Sequence, residues 1–287
     1  MRMKIWMVII IKLTNFNIIS IDENVMPETN KQTKKIMKTK KEVKKETTKE
    51  DKKEKIKSWK KYRTSNILLQ KYIEKPALYR DRKYDVRVWV VLTHKFEVYA
   101  FKEGHLKACS TTFKLDNADA FTHVTNYSFQ KYNKDFSKFE IGNEVSFQSW
   151  QEWLDETKSN LSVRKEIWPK MLELIKITFK SVKDTINENN RGYCFELFGF
   201  DIILDANHDM YLLEVNTNPG LEYSSPLIRM LVPRMIDDAL RLTIDDIFES
   251  KSSCVDGDGK YISNYKVDGY DDSELMYDLV CDLNLNS

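Results

Sequence analysis

The clearest hydrophobic pattern in the chain is a strict alternation of polar and apolar residues over two consecutive segments. YDVRVWVVLTH (84–94) and FEVYAFKEG (96–104) alternate with period two and are rich in Val, Tyr, Phe and Trp. This pattern predicts neighbouring antiparallel strands joined by a tight turn near 94–95. A shorter strand is predicted just upstream, in NILLQKYIE (66–74).

A helical spacing of apolar residues appears in three later segments. SFQSWQEWLDETK (146–158) is predicted to be a helix, and so is PKMLELIKITFKSVKDTINEN (169–189), whose proline suits a first helical turn. The second helix carries one apolar stripe, formed by Met171, Leu174, Ile175, Thr178, Phe179 and Val182. A closing amphipathic helix is predicted over 226–248, with a candidate break before Pro233.

Two more strands are predicted between the second and third helices. They cover 195–204 and 210–216 and are joined by the polar turn 205–209. The order of strands, helices, strands and a helix predicts an α+β domain with a mainly antiparallel sheet flanked by helices. We place this domain at 62–249.

Charge is distributed unevenly along the 287 residues. The net charge is +2, but residues 31–61 hold 15 Lys against 5 acidic residues, a local balance of +10 that leaves −8 for the remainder. Residues 27–61 are predicted to be a disordered linker, because so polar a segment buries too little surface to offset its ordering entropy. A short apolar segment, 1–26, precedes the linker, and an acidic, flexible tail is predicted over 250–287.

Composition disfavours several classes of protein. The apolar run 5–11 is much shorter than the about 20 residues that span a bilayer, so no membrane partner is expected. Secretion is disfavoured because Lys12 follows this run and no small-residue cleavage site is evident. No nucleic-acid partner is expected, since Trp59 is the only aromatic residue of the Lys-rich segment. The 4 cysteines form no CxxC pair, which fits a reduced, cytoplasmic protein.

Three polar residues on the last two predicted strands are candidates for a metal site. Period-two alternation puts Glu214 and Asn216 on one strand face, and a hairpin can bring Asp201 beside them. Two carboxylates and one amide oxygen are hard ligands of the kind that Mg²⁺ takes, while water and phosphate fill its other positions. The alternative is that Asp201 is a solvated acid near a turn and Glu214 an exposed strand end.

A second polar cluster lies in RKYDVR, at the start of the first long strand. Lys83, Asp85 and Arg87 alternate with Tyr and Val, so all three face one way. A Lys and an Arg that flank an Asp can contact phosphate and ribose while the carboxylate orients them. An exposed sheet face with a ladder of charges is the alternative.

Two further polar segments are weaker candidates. FKEGHLK places charged residues, including Lys107, around an expected turn at Gly104. THVTNYSFQKY holds a set of polar residues: Thr125, Asn126, Tyr127, Ser128 and Lys131. Ordinary loops are the alternative for both segments.

Six sequence blocks occur in the order found in the tubulin–tyrosine ligase-like family, which the chain resembles over about 66–249. The blocks are LLQKYIEKP, RKYDVRVWVVL, FKEGHLKACS, HVTNYSFQK, FELFGFDIILD and LLEVNTNPGLE. Six ordered blocks are far more specific than any one motif. The resemblance implies an ATP-grasp ligase that depends on ATP and Mg²⁺. Such a ligase activates a carboxylate as an acyl-phosphate, which an amine then attacks to form an amide.

The resemblance also implies roles for individual residues. The nucleotide would be bound by Gln70, Lys71, Tyr72, Ile73, Lys83, Asp85, Thr125 and Asn126. The amino-acid substrate would be bound by Lys107, Tyr127 and Ser128, and Mg²⁺ by Asp201, Glu214 and Asn216. Catalysis would depend on Arg87, Lys107 and Glu214. Lys107 stands where relatives usually carry Arg, which keeps the charge but loses bidentate geometry.

The implied substrates are a free amino acid and the acidic tails of tubulin or microtubules. Glutamate is favoured because the family has more members that add it, and glycine and tyrosine are the alternatives. The Lys-rich segment fits an acidic partner through electrostatic steering. The resemblance further implies a monomer in the cytoplasm, on the cytoskeleton, with a cilium or basal body as a more specific location.

One feature of active relatives is missing from the sequence. They carry a glycine-rich loop over the phosphates, upstream of the block QKYIE, where glycine lets backbone N–H groups approach closely. This chain has 8 Gly, and the first is Gly104, so the N-terminal lobe is expected to be incomplete. A truncated or catalytically inactive member that binds tubulin or microtubules is therefore the alternative function.

Overall fold

The computed structural model describes residues 70–248, 255 and 261–285. The predicted segments 1–26 and 27–61 lie outside these residues. The strands are β1 (Leu78–Tyr79), β2 (Arg82–Leu92), β3 (Glu97–Ala108), β4 (Glu144–Ser146), β5 (Glu196–Leu204), β6 (Met210–Asn216) and β7 (Tyr277–Asp282). The α-helices are α1 (Tyr127–Gln130), α2 (Phe147–Glu156), α3 (Trp168–Val182) and α4 (Pro226–Thr243).

The described strands form one antiparallel sheet. Its main path runs β4–β3–β2–β5–β6, while β1 pairs with β2 and β7 pairs with β3. The predicted α+β class with a mainly antiparallel sheet is confirmed. The strand β2 lies at the centre, where its apolar residues are covered on both faces of the sheet.

The two faces of the sheet have different partners. On one face, Val86 and Val88 of β2 pack with residues of α2 and α3. On the opposite face, Trp89 and Val91 pack against α4 and residues near the C-terminus. This second face is apolar only over part of its area. Its remainder, around the first half of β2, carries the polar residues of the candidate site.

Both predicted hairpins are present. Between β2 and β3, the N–H of Thr93 donates to the Glu97 carbonyl oxygen over 2.9 Å. Between β5 and β6, the Asp205 side chain accepts hydrogen bonds from the N–H groups of Asn207 and Asp209, at 2.8 and 3.0 Å. These side-chain bonds to the backbone explain why a polar segment turns the chain here.

The turn expected at Gly104 is not formed, because β3 continues through it. A Cβ built at Gly104 would collide with the carbonyl oxygen of Arg87 and would lie 2.8 Å from Cζ of Phe147. Glycine is therefore required at this position because β2 and α2 approach β3 closely.

The strand predicted over 66–74 is also not seen in its described part, since residues 70–75 contain no strand. Pro76 forms only an isolated antiparallel bridge with Asp205. Proline lacks the N–H that a regular ladder needs, which limits pairing at this point.

The three long predicted helices are present, and each ends before its predicted C-terminus. Ser146 caps α2 by accepting a hydrogen bond from the N–H of Ser149 over 3.0 Å. The break expected before Pro233 is wrong, because α4 runs unbroken through this residue. Buried Val232 and Met235 hold the helix against the sheet on both sides of the proline. No helix among the described residues is long and apolar enough to cross a membrane.

The prediction of a flexible tail over 250–287 is wrong for much of its C-terminal part. β7 extends the sheet by pairing with the first half of β3. Val267, Met276 and Tyr277 are buried in the core that also contains Trp89. Because the segment is acidic overall, its composition did not indicate that these three apolar residues are buried. Their packing partners are distant in the sequence.

Candidate active site

Strand register places the polar residues of the second sheet face in two rows that run across the sheet. Residues directly opposite one another on antiparallel strands point to the same face and are close neighbours. The first row consists of Glu144, Lys107 and Asp85, from β4, β3 and β2. The second row consists of Ser146, His105, Arg87, Asp201 and Glu214, from β4, β3, β2, β5 and β6.

Asp201 lies at the centre of the charged contacts. Arg87 binds it with two hydrogen bonds, from Nε to Oδ1 over 2.6 Å and from Nη2 to Oδ2 over 3.0 Å. Lys107 Nζ lies 3.0 Å from Asp201 Oδ1 and 2.9 Å from Asp85 Oδ1, so it joins the two rows. Burial alone would raise the pKa of Asp201, but Lys107 and Arg87 outweigh burial and hold this pKa well below its usual range. Asp201 is therefore an anion at neutral pH.

The three predicted metal ligands are adjacent. Asp201 and Glu214 are directly opposite each other on β5 and β6. The side-chain nitrogen of Asn216 donates to Glu214 Oε1 over 3.1 Å and to Asp201 Oδ2 over 3.3 Å. The predicted juxtaposition is thus observed, while metal binding itself stays a prediction.

The chemistry of this donor set fits Mg²⁺. Two carboxylates and an amide are available at one end of the second row, and rotation of the Asn216 amide would present its oxygen as a third ligand. The described residues contain no cluster of three or more His, Cys, Asp or Glu side chains arranged for a metal ion. Mg²⁺ usually takes one or two protein carboxylates and fills its other positions with water and phosphate oxygens.

Lys83 and Tyr72 come together at the edge of the rows. Lys83 Nζ donates to the His123 carbonyl oxygen over 2.8 Å and to the Tyr72 hydroxyl over 3.3 Å. The Tyr72 hydroxyl also lies 2.7 Å from Nδ1 of His123. Burial lowers the pKa of Lys83.

Thr125 is the member of the segment 125–128 that reaches the rows. Its hydroxyl donates a short hydrogen bond to Asp85 Oδ2. Among the described residues, the side chains of Asn126, Tyr127 and Ser128 make no hydrogen bond or ion pair with either row. Asn126 and Ser128 are exposed, and Tyr127 packs edge-on against Phe136.

The remaining predicted nucleotide residues lie at the start of the described chain. Gln70 and Lys71 are exposed, and Ile73 is half-buried. Because residues 70–75 form no strand, backbone pairing does not fix these side chains. Their assignment to the nucleotide stays a prediction.

Three residues of the site were not singled out by the sequence. His105 stands two residues before Lys107, so period-two alternation would have placed it on the same strand face. Gly199 interrupts an apolar strand, which indicates a close backbone approach. Glu144 gave no signal, because its neighbours are set by the pairing of β4 with β3.

His105 and Glu144 are both buried beside Lys107. His105 Nε2 lies 4.0 Å from Glu144 Oε1. Burial, together with the nearby charges of Arg87 and Lys107, lowers the pKa of His105 well below its usual value. The imidazole is therefore neutral at physiological pH and adds no charge to the rows.

Comparison with known proteins gives a consistent set of relatives. The chain is 31% identical over 212 residues to tubulin glycylase 3D of Tetrahymena thermophila, an alignment that covers 70% of this chain and 20% of that protein. It is 31% identical over 210 residues to human tubulin monoglutamylase TTLL4, covering 66% of this chain and 17% of that protein. It is 28% identical over 191 residues to the probable alpha-tubulin polyglutamylase Ttll1 of Tetrahymena thermophila, covering 65% and 45%.

The chain spans about a fifth of the length of tubulin glycylase 3D and less than half of Ttll1. The profile of the tubulin-tyrosine ligase family matches residues 12–253, which is most of the chain. With its antiparallel sheet and flanking helices, the chain belongs to the tubulin-tyrosine ligase family and has the ATP-grasp-like fold of that family.

Proposed function

We propose that this chain belongs to an ATP- and Mg²⁺-dependent ligase that adds an amino acid to tubulin tails through an acyl-phosphate intermediate. The observation that carries the proposal is the pair of polar rows. They bring two cations, Arg87 and Lys107, to the carboxylate of Asp201. Asp201 lies directly opposite Glu214 in the β5–β6 pairing. Phosphoryl transfer depends mainly on positioning and charge neutralisation, and this arrangement would supply both.

The residues of the rows would divide the work as follows. Asp201, Glu214 and the Asn216 amide oxygen would hold Mg²⁺, which when bound neutralises charge on the phosphate oxygens. Arg87 and Lys107 would face the transferred phosphoryl group and the acyl-phosphate. Since Lys107 contacts both Asp85 and Asp201 in this structure, metal binding at Asp201 would free its ammonium group for an anionic ligand.

Residues at the other end of the rows would bind the rest of the substrates. Two hydrogen-bonded pairs, Lys83 with Tyr72 and Asp85 with Thr125, would hold the nucleotide. Gln70, Lys71, Ile73 and Asn126 would complete its binding site. Tyr127 and Ser128 would lie toward the amino acid. The site would require no protein nucleophile, because ATP activates the carboxylate.

The amino acid is proposed to be glutamate, with glycine and tyrosine to be tested beside it. The relatives include both glycylases and glutamylases at 31% identity, so similarity does not separate these two amino acids. Tubulin or microtubules would be the partner of a monomeric enzyme. The place of action would be the cytoplasmic cytoskeleton, with the cilium or basal body as the narrower proposal.

The alternative is a catalytically inactive member that binds microtubules. It is favoured by one observation, that residues 1–103 contain no glycine, the residue that lets the backbone of a phosphate-binding loop approach its ligand closely. The same assay that tests the ligase tests this alternative, provided that microtubule co-sedimentation is measured on the same protein.

The test is incorporation of labelled glutamate, glycine or tyrosine into tubulin in the presence of ATP and Mg²⁺. Glu214→Gln removes one charged metal ligand, so we expect product formation to fall by at least about 100-fold with thermal stability retained. Glu222→Gln, at an exposed carboxylate, is the matched control and should keep full activity. No product from the folded wild-type chain with any of the three amino acids would overturn the ligase proposal. Co-sedimentation without product would support the alternative.

A further inference from the structure

Residues 217–225, which we call the strap, connect the metal-ligand strand β6 to helix α4. The strap begins directly after Asn216 and ends at Ser225, whose hydroxyl accepts a hydrogen bond from the N–H of Ile228 over 3.2 Å and caps α4. Because the strap is covalently joined to Asn216, a displacement of its first residues would shift the end of β6. Its contacts with the sheet therefore bear on the geometry of the metal ligands.

The first contact of the strap is made by Pro219 at the second row. A Cβ built on Gly199 would lie 2.9 Å from Cβ of Pro219 and 3.2 Å from Nη1 of Arg87. Gly199 is also the residue directly opposite Asn216 in the β5–β6 pairing. The proline and the guanidinium group thus share the space that this glycine leaves open.

The second contact is made by Ser224 at the end of the first row. The Ser224 hydroxyl donates to Glu144 Oε1 over 2.7 Å. Glu144 is 9% exposed and lies directly opposite Lys107 in the β3–β4 pairing. The strap is therefore attached to both rows, once at each side of Lys107.

The local backbone is arranged to bring Glu144 and the strap together. Gly142 adopts φ of +74°, and a Cβ at this position would lie 3.2 Å from Glu144 Oε2 and 3.2 Å from Cβ of Ser225. A residue with a side chain would be strained in this conformation and would push the strap away. Glycine at 142 is thus part of the attachment.

A role limited to stability does not account for a carboxylate at position 144. Glu144 is buried, which disfavours its charged form and raises its pKa although the Ser224 and Ser225 hydroxyls donate to it. Burying a carboxylate costs free energy, and a neutral side chain would avoid much of this cost. The carboxylate instead places a negative charge beside Lys107, the cation that contacts both Asp85 and Asp201.

We propose that Glu144 is a positioning residue, which fixes the strap through Ser224 and thereby sets the placement of Asn216 and Arg87 for the metal–nucleotide complex. This inference rests on the proposed function. It adds a residue, Glu144, that neither the motif pattern nor the metal-ligand set contains.

The variants are Ser224→Ala, which removes the hydroxyl donor, and Ser224→Thr, which retains it. Glu144→Gln keeps an acceptor oxygen but removes the charge beside Lys107. Glu222→Gln, on the exposed side of the same strap, is the matched control. Thermal unfolding of each protein establishes that it is folded.

Two measurements on these proteins decide the inference. Hydrogen–deuterium exchange of the strap, without ligands, should be about fivefold faster in Ser224→Ala, the effect of one net hydrogen bond. The dissociation constant for Mg²⁺ with a non-hydrolysable ATP analogue should rise by about fivefold in Ser224→Ala and in Glu144→Gln. Ser224→Thr and Glu222→Gln should match the wild type in both measurements.

The other possible outcomes would overturn this inference, either alone or together with the proposed function. Faster exchange with unchanged nucleotide affinity would make Glu144 a structural anchor and overturn the inference, as would no effect in either measurement. In both cases the proposed function would stand, because the wild type would still bind nucleotide. Failure of the folded wild type to bind the Mg²⁺–nucleotide probe would overturn the proposed function and this inference with it.

Discussion

At the scale of single residues, Gly199 tests how closely the site is packed. Gly199→Ala would force Pro219 or Arg87 to move, and overpacking of this kind costs about 1–3 kcal/mol in the free energy of unfolding. Urea denaturation measures this loss. Gly192→Ala is the control, because a Cβ at Gly192 would meet no atom within 4 Å, and its effect should stay within about 0.5 kcal/mol. Equal stabilities for the two variants would contradict the packing that we describe.

His105 makes stability depend on pH in a specific direction. Its pKa in the folded protein is well below 6.5, so as pH falls below about 6.5 the unfolded chain takes up a proton that the folded protein does not. The free energy of unfolding should therefore fall toward acid pH, by up to about 1.4 kcal/mol per pH unit from this residue.

Comparison with His105→Gln isolates the contribution of the imidazole. Other groups in the rows also titrate, and burial of Glu144 raises its pKa, which gives a contribution of opposite sign at low pH. The unfolding free energies of wild type and His105→Gln are measured by urea denaturation from pH 7.5 to 5. The difference between them removes the contributions of the titrating groups that the two proteins share. A difference that stays constant over this range would show that His105 is not held neutral by the fold.

The residues that sequence could identify are those whose neighbours follow from local rules. Glu214 and Asn216 share a face because of strand alternation, and Asp201 joins them through a hairpin of adjacent strands. Glu144 meets Lys107 only because β4 pairs with β3, and no local pattern specifies that pairing. Neighbours that are set by long-range strand pairing could therefore not be predicted from the sequence.

At the scale of elements, α4 binds the C-terminal segment through a buried ion pair. Arg234 and Asp238 are both fully buried, with Arg234 Nε 2.9 Å from Asp238 Oδ2. Arg234 also donates to the carbonyl oxygens of Tyr265, Asp271 and Glu274, and Asp238 accepts from the N–H of Met276 over 2.9 Å. The pair thus satisfies backbone groups of a segment that has little regular structure before β7.

Arg234→Met is therefore expected to loosen that segment. Removal of one partner from a buried ion pair costs about 3–5 kcal/mol, and hydrogen–deuterium exchange over residues 261–285 should rise. Arg229→Met, at an exposed position of the same helix, is the control and should change the unfolding free energy by no more than about 1 kcal/mol. Protection of 261–285 that is equal in the two variants would contradict this role of Arg234.

The elements themselves were predicted well where one pattern ran over many residues. The long alternation of β2 and the apolar stripe of α3 gave correct element types. The errors fell at Pro233 and β7, where tertiary packing outweighs local preference. Burial on both sides of Pro233 keeps α4 continuous, and β7 forms because β3 offers it a free edge.

At the scale of the whole molecule, the two faces of the sheet differ in the residues that they carry. One face is covered by α2 and α3 over a continuous apolar core. The opposite face carries its own apolar cluster, with α4, beside the polar rows. The charged residues therefore have an apolar core on the opposite face of the sheet and a second apolar cluster beside them on their own face.

Residues of the second row are far apart in the sequence, so the ribosome synthesises them at different times. Lys107 and Asp85 belong to one hairpin, but Asp201 follows Arg87 by 114 residues. At about 5–20 residues per second, the ribosome delivers Asp201 about 6–23 s after Arg87. Until then the nascent hairpin carries Arg87 without its carboxylate. The arrival of β5 both neutralises that charge and fills the second edge of β2, so the second row and the centre of the sheet begin to form at the same late step.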